Sequence, residues 1–463
     1  MYSDVDRDAL HVRTADAAYP IGAAAPRESY LNAARIIEVA RRSGADAIHP
    51  GYGFLSENAD FAQAVVDAGL VFVGPPAKVQ RLLGEKTAAR RLAREADVPV
   101  AEGTEPLTDV AAARTAANRI GYPVLLKPAG GGGGKGMRTV KAEAELESAW
   151  RAATGEATTA FGQPALYLEQ AIQHARHVEM QIIADRRGNV VWLGERDCSI
   201  QRRHQKLIEE TPGPSVDEGL REKLGAAAVR IAKAAGYENA GTVEFLVDGW
   251  GKFYFLEVNT RLQVEHPITE MVTGLDLVAL QLRIAAGEPL PFAQGDVVRS
   301  GAAIECRITA EDPYASFLPA SGVVAFMREP AGPGIRVDSA MYPGMTVPNE
   351  YDPLLAKVIA HGRDRIEAIA RMRRALEEMR VAGIPTSLPF HRFALFDSDF
   401  NAGRYDTGFV LRWNGRDAPE LSDGAVAASA LAAVLAMRAR GERRALAASD
   451  PPWARAARED ALR

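Results

Sequence analysis

Along the first eighty residues, apolar positions alternate between two periods. Tyr30 to Ser43 repeats them at helical spacing, Ala45 to His49 is a short apolar run, Asn58 to Ala68 is helical again, and Leu70-Val71-Phe72-Val73-Gly74 reads as a buried strand. This alternation predicts α/β layering for a first unit, residues 1–84. That unit is expected to be incomplete, because Met1-Tyr2-Ser3-Asp4 reads as the end of a strand with no strand, glycine turn and helix before it. Glu85 to Ala96 predicts a charged helix that stops before Val98-Pro99. A strand at Val124 to Lys127, a helix at Ala142 to Ala153 and a strand at Ala165 to Glu169 then make a small lobe, about 101–170, inside a second unit at 85–290. Further on, His177 to Ile183 and Val190 to Glu195 read as paired strands, Glu218 to Ala235 as a helix, and Gly241 to Asp248 as the partner of a strand starting at Phe253. Short strands between Gly/Pro turns from Ala302 to Lys357, followed by a helix at Arg365 to Met379, form a third unit, 300–413. Residues 414–463 turn to Ala and Arg, as in a tail or the start of a further segment.

Composition narrows the class. A chain of 463 residues, 47% of them hydrophobic, can build several packed cores. Its 55 basic and 60 acidic residues give a net charge of -5, so no overall field favours nucleic acid or an anionic membrane, and anion binding must be local. Cys198 and Cys306 have no metal-ligand spacing and read as buried, incidental thiols of a reducing compartment. The apolar stretch Ala425 to Met437 is too short to span a bilayer, and Met1 to Leu10 shows no leader.

Candidate chemistry concentrates in a few segments. Glu257, Asn259, Arg261, Gln263 and Glu265 recur at every second position, so in an extended strand all five would share one face and supply a metal site, an anion site and a base. Glu244 would stand opposite Glu257 across a hairpin, and two facing carboxylates need a cation: Mg²⁺, with Asn259 as a third oxygen ligand. Gly130 to Gly134, with Gly132, Gly133 and Gly134 at the centre, fits neither a Walker loop nor a dinucleotide fingerprint and reads as a mobile lid over nucleotide phosphates. Lys86 and Lys127 are candidate phosphate ligands, while Glu169 at the lobe's hinge is a nucleotide contact or a surface carboxylate. Glu195 to Lys206 is dense in donors, as a solvated loop or a ligand-facing segment would be. His177 and His204 are candidate ribose contacts, and Arg307 follows Glu305-Cys306 at the end of a short strand.

These segments together resemble the biotin carboxylase family of ATP-grasp enzymes. The motifs are Lys127-Pro-Ala-Gly-Gly-Gly-Gly-Gly-Lys-Gly-Met-Arg138, His177-Val-Glu-Met-Gln181, Glu195-Arg-Asp-Cys-Ser-Ile-Gln-Arg-Arg-His-Gln-Lys206, Glu257-Val-Asn-Thr-Arg-Leu-Gln-Val-Glu-His-Pro267 and Glu305-Cys-Arg-Ile308, in register from about Tyr2 to Trp413. Tyr351-Asp352-Pro353 and Asp406-Thr407-Gly408-Phe409 look most like α subunits of acyl-CoA carboxylases of the methylcrotonyl or propionyl type. The resemblance implies an α/β and α+β ATP-grasp fold with an incomplete Rossmann-like N-terminal domain, a glycine-rich lid and a biotin carboxylase C-terminal domain. It implies ATP-dependent carboxylation of biotin by bicarbonate through carboxyphosphate. Lys86, Lys127, Gly132, Gly133, Gly134, Glu169, His177, Gln201 and His204 would then serve ATP, and Glu244, Glu257 and Asn259 would hold Mg²⁺ or Mn²⁺. Lys206, Arg261, Gln263 and the backbone of Val264 would bind bicarbonate, Glu265 would be its base, and Arg307 would stabilise the enolate-like oxygen of biotin.

By the same resemblance the partners are a biotin carboxyl carrier domain and a carboxyltransferase subunit, in a homodimer or larger complex. The compartment is the cytoplasm, or the mitochondrial matrix given the N-terminus. Two departures stand out. Gln170 replaces a Lys common after the hinge glutamate, and no Ala-Met-Lys-Met sequence occurs, Ala436-Met437-Arg438 being only superficially similar, so biotin would come from elsewhere. The alternatives are another bicarbonate-using ATP-grasp ligase of carbamoyl-phosphate synthetase type, or an inactive, truncated structural subunit.

Overall fold

The computed structural model describes residues 1–107, 109–128, 137–161 and 165–418, together with 424 and 431. Met1–Asn414 is one compact unit and Gly415–Arg463 a second. In the N-terminal part, β1 (Tyr2–Ser3) pairs in parallel with β2 (Pro20–Gly22), and β3 (Ala47–Ile48) with β4 (Val71–Phe72). The predicted helices are present as Ala33–Ser43 and Ala59–Asp67, capped by Asn32 and Asn58, whose side chains accept from the third residue on. Their Val39, Ala40, Phe61 and Val65 pack with Ile21, Ile48 and Phe72. Glu85 caps the helix Lys86–Glu95, which places Lys86 on its first turn.

The small lobe is a three-stranded antiparallel sheet in which β5 (Val124–Pro128) lies between β6 (Arg138–Val140) and β7 (Leu166–Gln170). Leu126, Val140 and Leu168 pack with Leu146 and Trp150 of the Glu143–Phe161 helix.

The main sheet is antiparallel and uses β8 (Arg176–Ala184), β9 (Val190–Arg202), β10 (Gln205–Thr211), β11 (Asn239–Val247), β12 (Phe253–Asn259) and β13 (Ala302–Thr309). Three short ladders, β14 (Glu311–Asp312) with β15 (Leu318–Pro319), β16 (Gly322–Val323) with β19 (Thr346–Val347) and β17 (Phe326–Arg328) with β21 (Arg380–Ala382), are interleaved with two more strands that join it, β18 (Ile335–Ser339) and β20 (Leu354–Gly362). The eight run in the order β12-β11-β8-β9-β10-β13-β20-β18. Alternation along β8 sends Val178, Met180 and Ile182 to an apolar layer shared with Leu224, Ala228 and Ile231 of the Glu218–Ala235 helix. Glu179 and Gln181, between them, enter a buried polar layer on the opposite face.

One expectation is corrected. The segment Glu257 to Glu265 is not one strand: β12 ends at Asn259, residues 260–264 form a turn, and Glu265 stands at the cap of the helix His266–Thr273. Pro267 starts that helix because it cannot donate to a sheet ladder, and Glu57 draws the chain out of the sheet by accepting from Thr260 N at 2.9 Å. Only Glu257 and Asn259 therefore share a strand face; Arg261, Gln263 and Glu265 are presented by the turn. Glu305 to Ile308 lies at the end of β13, as expected; the strand pairs along its length with β20, and Ala303 to Cys306 pair also with β10, so that Ile304, Cys306 and Ile308 fill one core while Glu305 and Arg307 turn to the polar layer.

Candidate functional site

A cavity of about 730 Å³ lies between the lobe, the sheet and the turn after β12, and Tyr52 and Glu57 reach it from the N-terminal part. At one end are Lys86, Lys127 and Glu169. Lys127 and Arg90 both contact the Glu169 carboxylate, a buried cluster that fixes the lobe's strands to the helix Lys86–Glu95. Burial, with Lys86 and Arg90 nearby, lowers the Lys127 ammonium, and Glu169 is its counter-charge. His177, Gln201 and His204 line the same cavity. His204 sits in the tight β9–β10 turn with φ 66°, which aims its ring inward from a sparsely allowed conformation. Gly132, Gly133 and Gly134 lie outside the described residues.

Glu244 and Glu257 stand opposite each other across β11 and β12, as the hairpin reading requires. Burial first, and then the Glu244 charge, raise the Glu257 carboxyl; Lys86 Nζ at 3.9 Å compensates only in part. Two facing carboxylates in that state fit a divalent cation with oxygen ligands. Asn259 Nδ2 donates to Glu244 Oε1 at 2.8 Å, and Asn259 Oδ1 faces Arg261 Nη2 at 3.4 Å, so this amide bridges the acidic pair and the turn. Two tighter groups, His177-Glu179-Glu244 and Glu179-Cys198-Glu265, also bring ligand atoms within 4.8 Å of one another. An ammonium already serves them. Lys206 Nζ donates to Glu179 at 2.5 Å, Glu244 at 2.9 Å and Glu265 at 2.7 Å.

Lys206 is thus the hub of the floor. Burial alone would lower it, but the three carboxylates raise it well above the ordinary range. Glu265 is fully buried behind Lys206 and Arg307 and does not line the cavity, unlike the other described candidates. Burial would raise its carboxyl, yet Lys206, Arg307 and Arg196 together hold it well below the usual carboxylate range. Arg307 donates from Nη2 to Glu265 at 2.8 Å and from Nε to Glu209 at 2.6 Å. On the rim, Arg261 donates from Nε to Glu57 at 3.0 Å and from Nη1 to Gln263 Oε1 at 3.2 Å. Gln263 Nε2 is buried and has no partner among the described residues, an open donor beside a guanidinium. The Val264 carbonyl is held by Lys357 Nζ at 2.9 Å. Lys206, Arg261 and Arg307 line the floor beside an unused donor, which suits a small oxyanion.

Glu57, Arg90, Glu179, Arg196, Glu209 and Lys357 belong to this machinery and were not singled out in the sequence. Arg196 is fully buried and donates to Glu179, Gln181, Thr242 and Thr269, a network tying three strands to the His266–Thr273 helix. Glu179 and Arg196 each stood inside a quoted motif, and the alternation of apolar residues around them was the available signal. Glu57 and Lys357 carried none, being far from the site in sequence. Cys198 and Cys306 are free and buried, as expected.

The sequence profile described as "Biotin carboxylase, N-terminal domain" matches residues 1–80, "Carbamoyl-phosphate synthase L chain, ATP binding domain" matches 85–293, and "Biotin carboxylase C-terminal domain" matches 305–412. The chain is 50% identical over 412 residues to biotin carboxylase 1 of Bacillus subtilis (strain 168), covering 89% of this chain and 92% of that one. It is 48% identical over 413 residues to the mitochondrial methylcrotonoyl-CoA carboxylase subunit alpha of Arabidopsis thaliana, covering 89% of this chain and 56% of that longer one. The biotin carboxylase domain dimer of Hydrogenobacter thermophilus 2-oxoglutarate carboxylase, solved with MgADP, ADP and bicarbonate, superposes with a TM-score of 0.87 at 45% identity, covering 89% and 91% of the two chains.

Proposed function

The chain belongs to the biotin carboxylase family, and from that membership we propose how its residues divide the ATP-dependent carboxylation of biotin with bicarbonate. The observation that carries the division is Lys206, bonded at once to Glu244 on the metal side and Glu265 on the other. On the ATP side, Lys86 and Lys127 take phosphate oxygens, and Glu169, His177, Gln201 and His204 surround the nucleoside. Glu244, Glu257 and Asn259 would hold Mg²⁺ or Mn²⁺, which when bound neutralises phosphate charge. Gly132, Gly133 and Gly134 would serve the ATP phosphates.

On the other side, Arg261, Gln263, Lys206 and the Val264 backbone hold bicarbonate in line with the γ-phosphate. A bicarbonate oxygen attacks phosphorus, ADP leaves, and Glu265 takes the bicarbonate proton. Carboxyphosphate then breaks into CO₂ and phosphate, phosphate takes the proton from biotin N1, and N1 attacks CO₂. Arg307 stabilises the oxygen charge that develops on biotin. In the ligand-free protein Glu265 is a weak base; bicarbonate and biotin draw Lys206 and Arg307 toward themselves, and the carboxylate regains basicity as those cations turn away.

The division of the chain follows: an N-terminal domain at 1–84, an ATP-grasp domain at 85–290 with its lid at about 101–170, a biotin carboxylase C-terminal domain at 300–413 and a tail from 414. Biotin arrives on a carrier domain, the carboxyl group leaves to a carboxyltransferase subunit, and the assembly is a homodimer or larger. No described helix is long and apolar enough to cross a membrane. The two buried free thiols suit a reducing compartment, the cytoplasm or the mitochondrial matrix. The test is ATP hydrolysis by the purified chain with bicarbonate, with and without free biotin. Biotin stimulates hydrolysis, and Arg261→Ala abolishes the stimulation; turnover that depends on ammonia and ignores biotin contradicts the reading.

A further inference from the structure

Glu305 has no part in the reaction above, yet it sits two residues before Arg307 in the buried polar layer. It is 0% exposed, and neither of its oxygens has a hydrogen-bond partner among the described residues. A buried carboxylate in that state cannot stay charged without a dedicated cation. The charged groups around it are Lys357 on β20, Glu209 on β10, Arg307 on its own strand and Glu265 above. The cations are committed elsewhere. Arg307 serves Glu209 and Glu265, and Lys357 serves the Val264 carbonyl and, at 3.3 Å, Asp338.

Glu305 is directly opposite Glu209 in the β10–β13 register, and Glu209 Oε2 is a third buried oxygen in this layer without a hydrogen-bond partner among the described residues. Three such acceptors side by side, with no donor, lack one proton. Burial pushes Glu305 well above the ordinary range, and burial raises Glu209 to about 7 against the pull of Arg307. We infer that Glu305 is carried as a neutral carboxylic acid whose hydroxyl donates to Glu209 Oε2, and that it is a positioning residue fixing the Glu209 carboxylate against Arg307. Glu209 then uses both oxygens, one for Arg307 Nε and one for Glu305, and the guanidinium is held in the orientation that biotin meets. This rests on the reading of Arg307 as the group that faces biotin.

The direction of a pH shift separates a neutral Glu305 from an ionised one. Glu209 is charged above about 7 and takes a proton as pH falls through that value, releasing Arg307 and producing an acid limb in biotin-dependent turnover. If Glu305 is a neutral donor, Glu305→Leu removes a hydrogen bond to the Glu209 carboxylate, makes it harder to ionise and moves the limb to higher pH. Glu305→Gln keeps a neutral donor and leaves the limb in place. If Glu305 is ionised, both variants remove a negative charge beside Glu209 and both limbs move to lower pH.

The experiment measures pH profiles of biotin-dependent ATP hydrolysis for the full chain and both variants, with infrared spectra of protein labelled at glutamate carboxyl carbons. The expected result is a protonated-acid carbonyl band at mildly alkaline pH that is lost in Glu305→Gln. With it come an upward limb shift and a roughly tenfold rise in the biotin KM for Glu305→Leu alone, the ATP KM unchanged in both. Absence of that band, or limbs moving down or not at all, overturns the inference. If Glu305→Leu does not fold, the infrared comparison of parent and Glu305→Gln decides. If instead Arg307→Met leaves the biotin KM alone, the reading of Arg307 fails while the band still reports the state of Glu305.

Discussion

Lys206→Met abolishes biotin-dependent ATP hydrolysis and also destabilises the fold, by about 3–5 kcal/mol, the usual consequence of removing one partner from a buried ion pair. Methionine matches the length of lysine without its charge. It leaves Glu179, Glu244 and Glu265, all buried, without the ammonium they share. Arg196, His177 and Arg307 still touch single members of the trio, so the loss is severe without being a collapse of the whole layer. Its pH dependence has a definite sign. In the parent, Glu244 and Glu265 are held below their ordinary values, so their stabilisation is present above the unfolded carboxylate range and is lost as pH falls through the folded values. In the variant, burial without the ammonium raises these carboxyls, so the folded protein is penalised at high pH and relieved by protonation. The gap between parent and variant in denaturant midpoint is therefore widest near about pH 8 and narrows toward about pH 5.5. A gap independent of pH would mean that the cost is lost packing.

Glu265→Gln lowers kcat/KM for bicarbonate by about 10²–10⁴-fold, the range for loss of a positioned general base, with ATP affinity unchanged. The amide keeps the shape, and its single oxygen can accept from Lys206 or from Arg307 but not from both, which bond different oxygens of the carboxylate, so one of the two cations loses its acceptor. What it loses is the ability to take a proton. Because Glu265 lies behind those two cations and away from the cavity wall, its contact with bicarbonate depends on their movement. Steady-state kinetics with bicarbonate varied, set beside direct MgATP binding, resolve the two effects. A fall in ATP affinity matching the fall in kcat/KM would place Glu265 in structural support of the metal side.

Much of this site was legible in the sequence because its polar residues interrupt strong apolar patterns. The facing of Glu244 and Glu257 followed from a hairpin whose turn, Asp248 to Lys252, is marked by two glycines. Lys127 and Glu169 were each legible as residues near strand ends of one small lobe, but their contact was not: it follows from the antiparallel register, which sets Lys127 opposite Tyr167 and Glu169 opposite Leu125. The even spacing from Glu257 to Glu265 was legible too, but its meaning was not: the period of two continued past the point where Glu57 and Pro267 turn the chain. Long-range partners explain most other misses. Glu57 meets Arg261 across 204 residues of sequence, and no local period encodes that contact. Glu305 stood out only as a neighbour of Arg307, and nothing marked Glu209, until the register of β10 and β13 set them opposite each other in a layer closed by the His266–Thr273 helix. Buried acids of this kind are visible only once the sheet order is known.

On the proposed division of roles, one floor built on Lys206 passes bicarbonate to the γ-phosphate and the resulting CO₂ to biotin. Turnover in [¹⁸O]bicarbonate tests it most directly, through the isotope content of the inorganic phosphate released in the presence of biotin. Each phosphate is expected to carry an oxygen from bicarbonate, because that oxygen attacks phosphorus and stays with it when carboxyphosphate breaks. Phosphate whose new oxygen comes from water would contradict it.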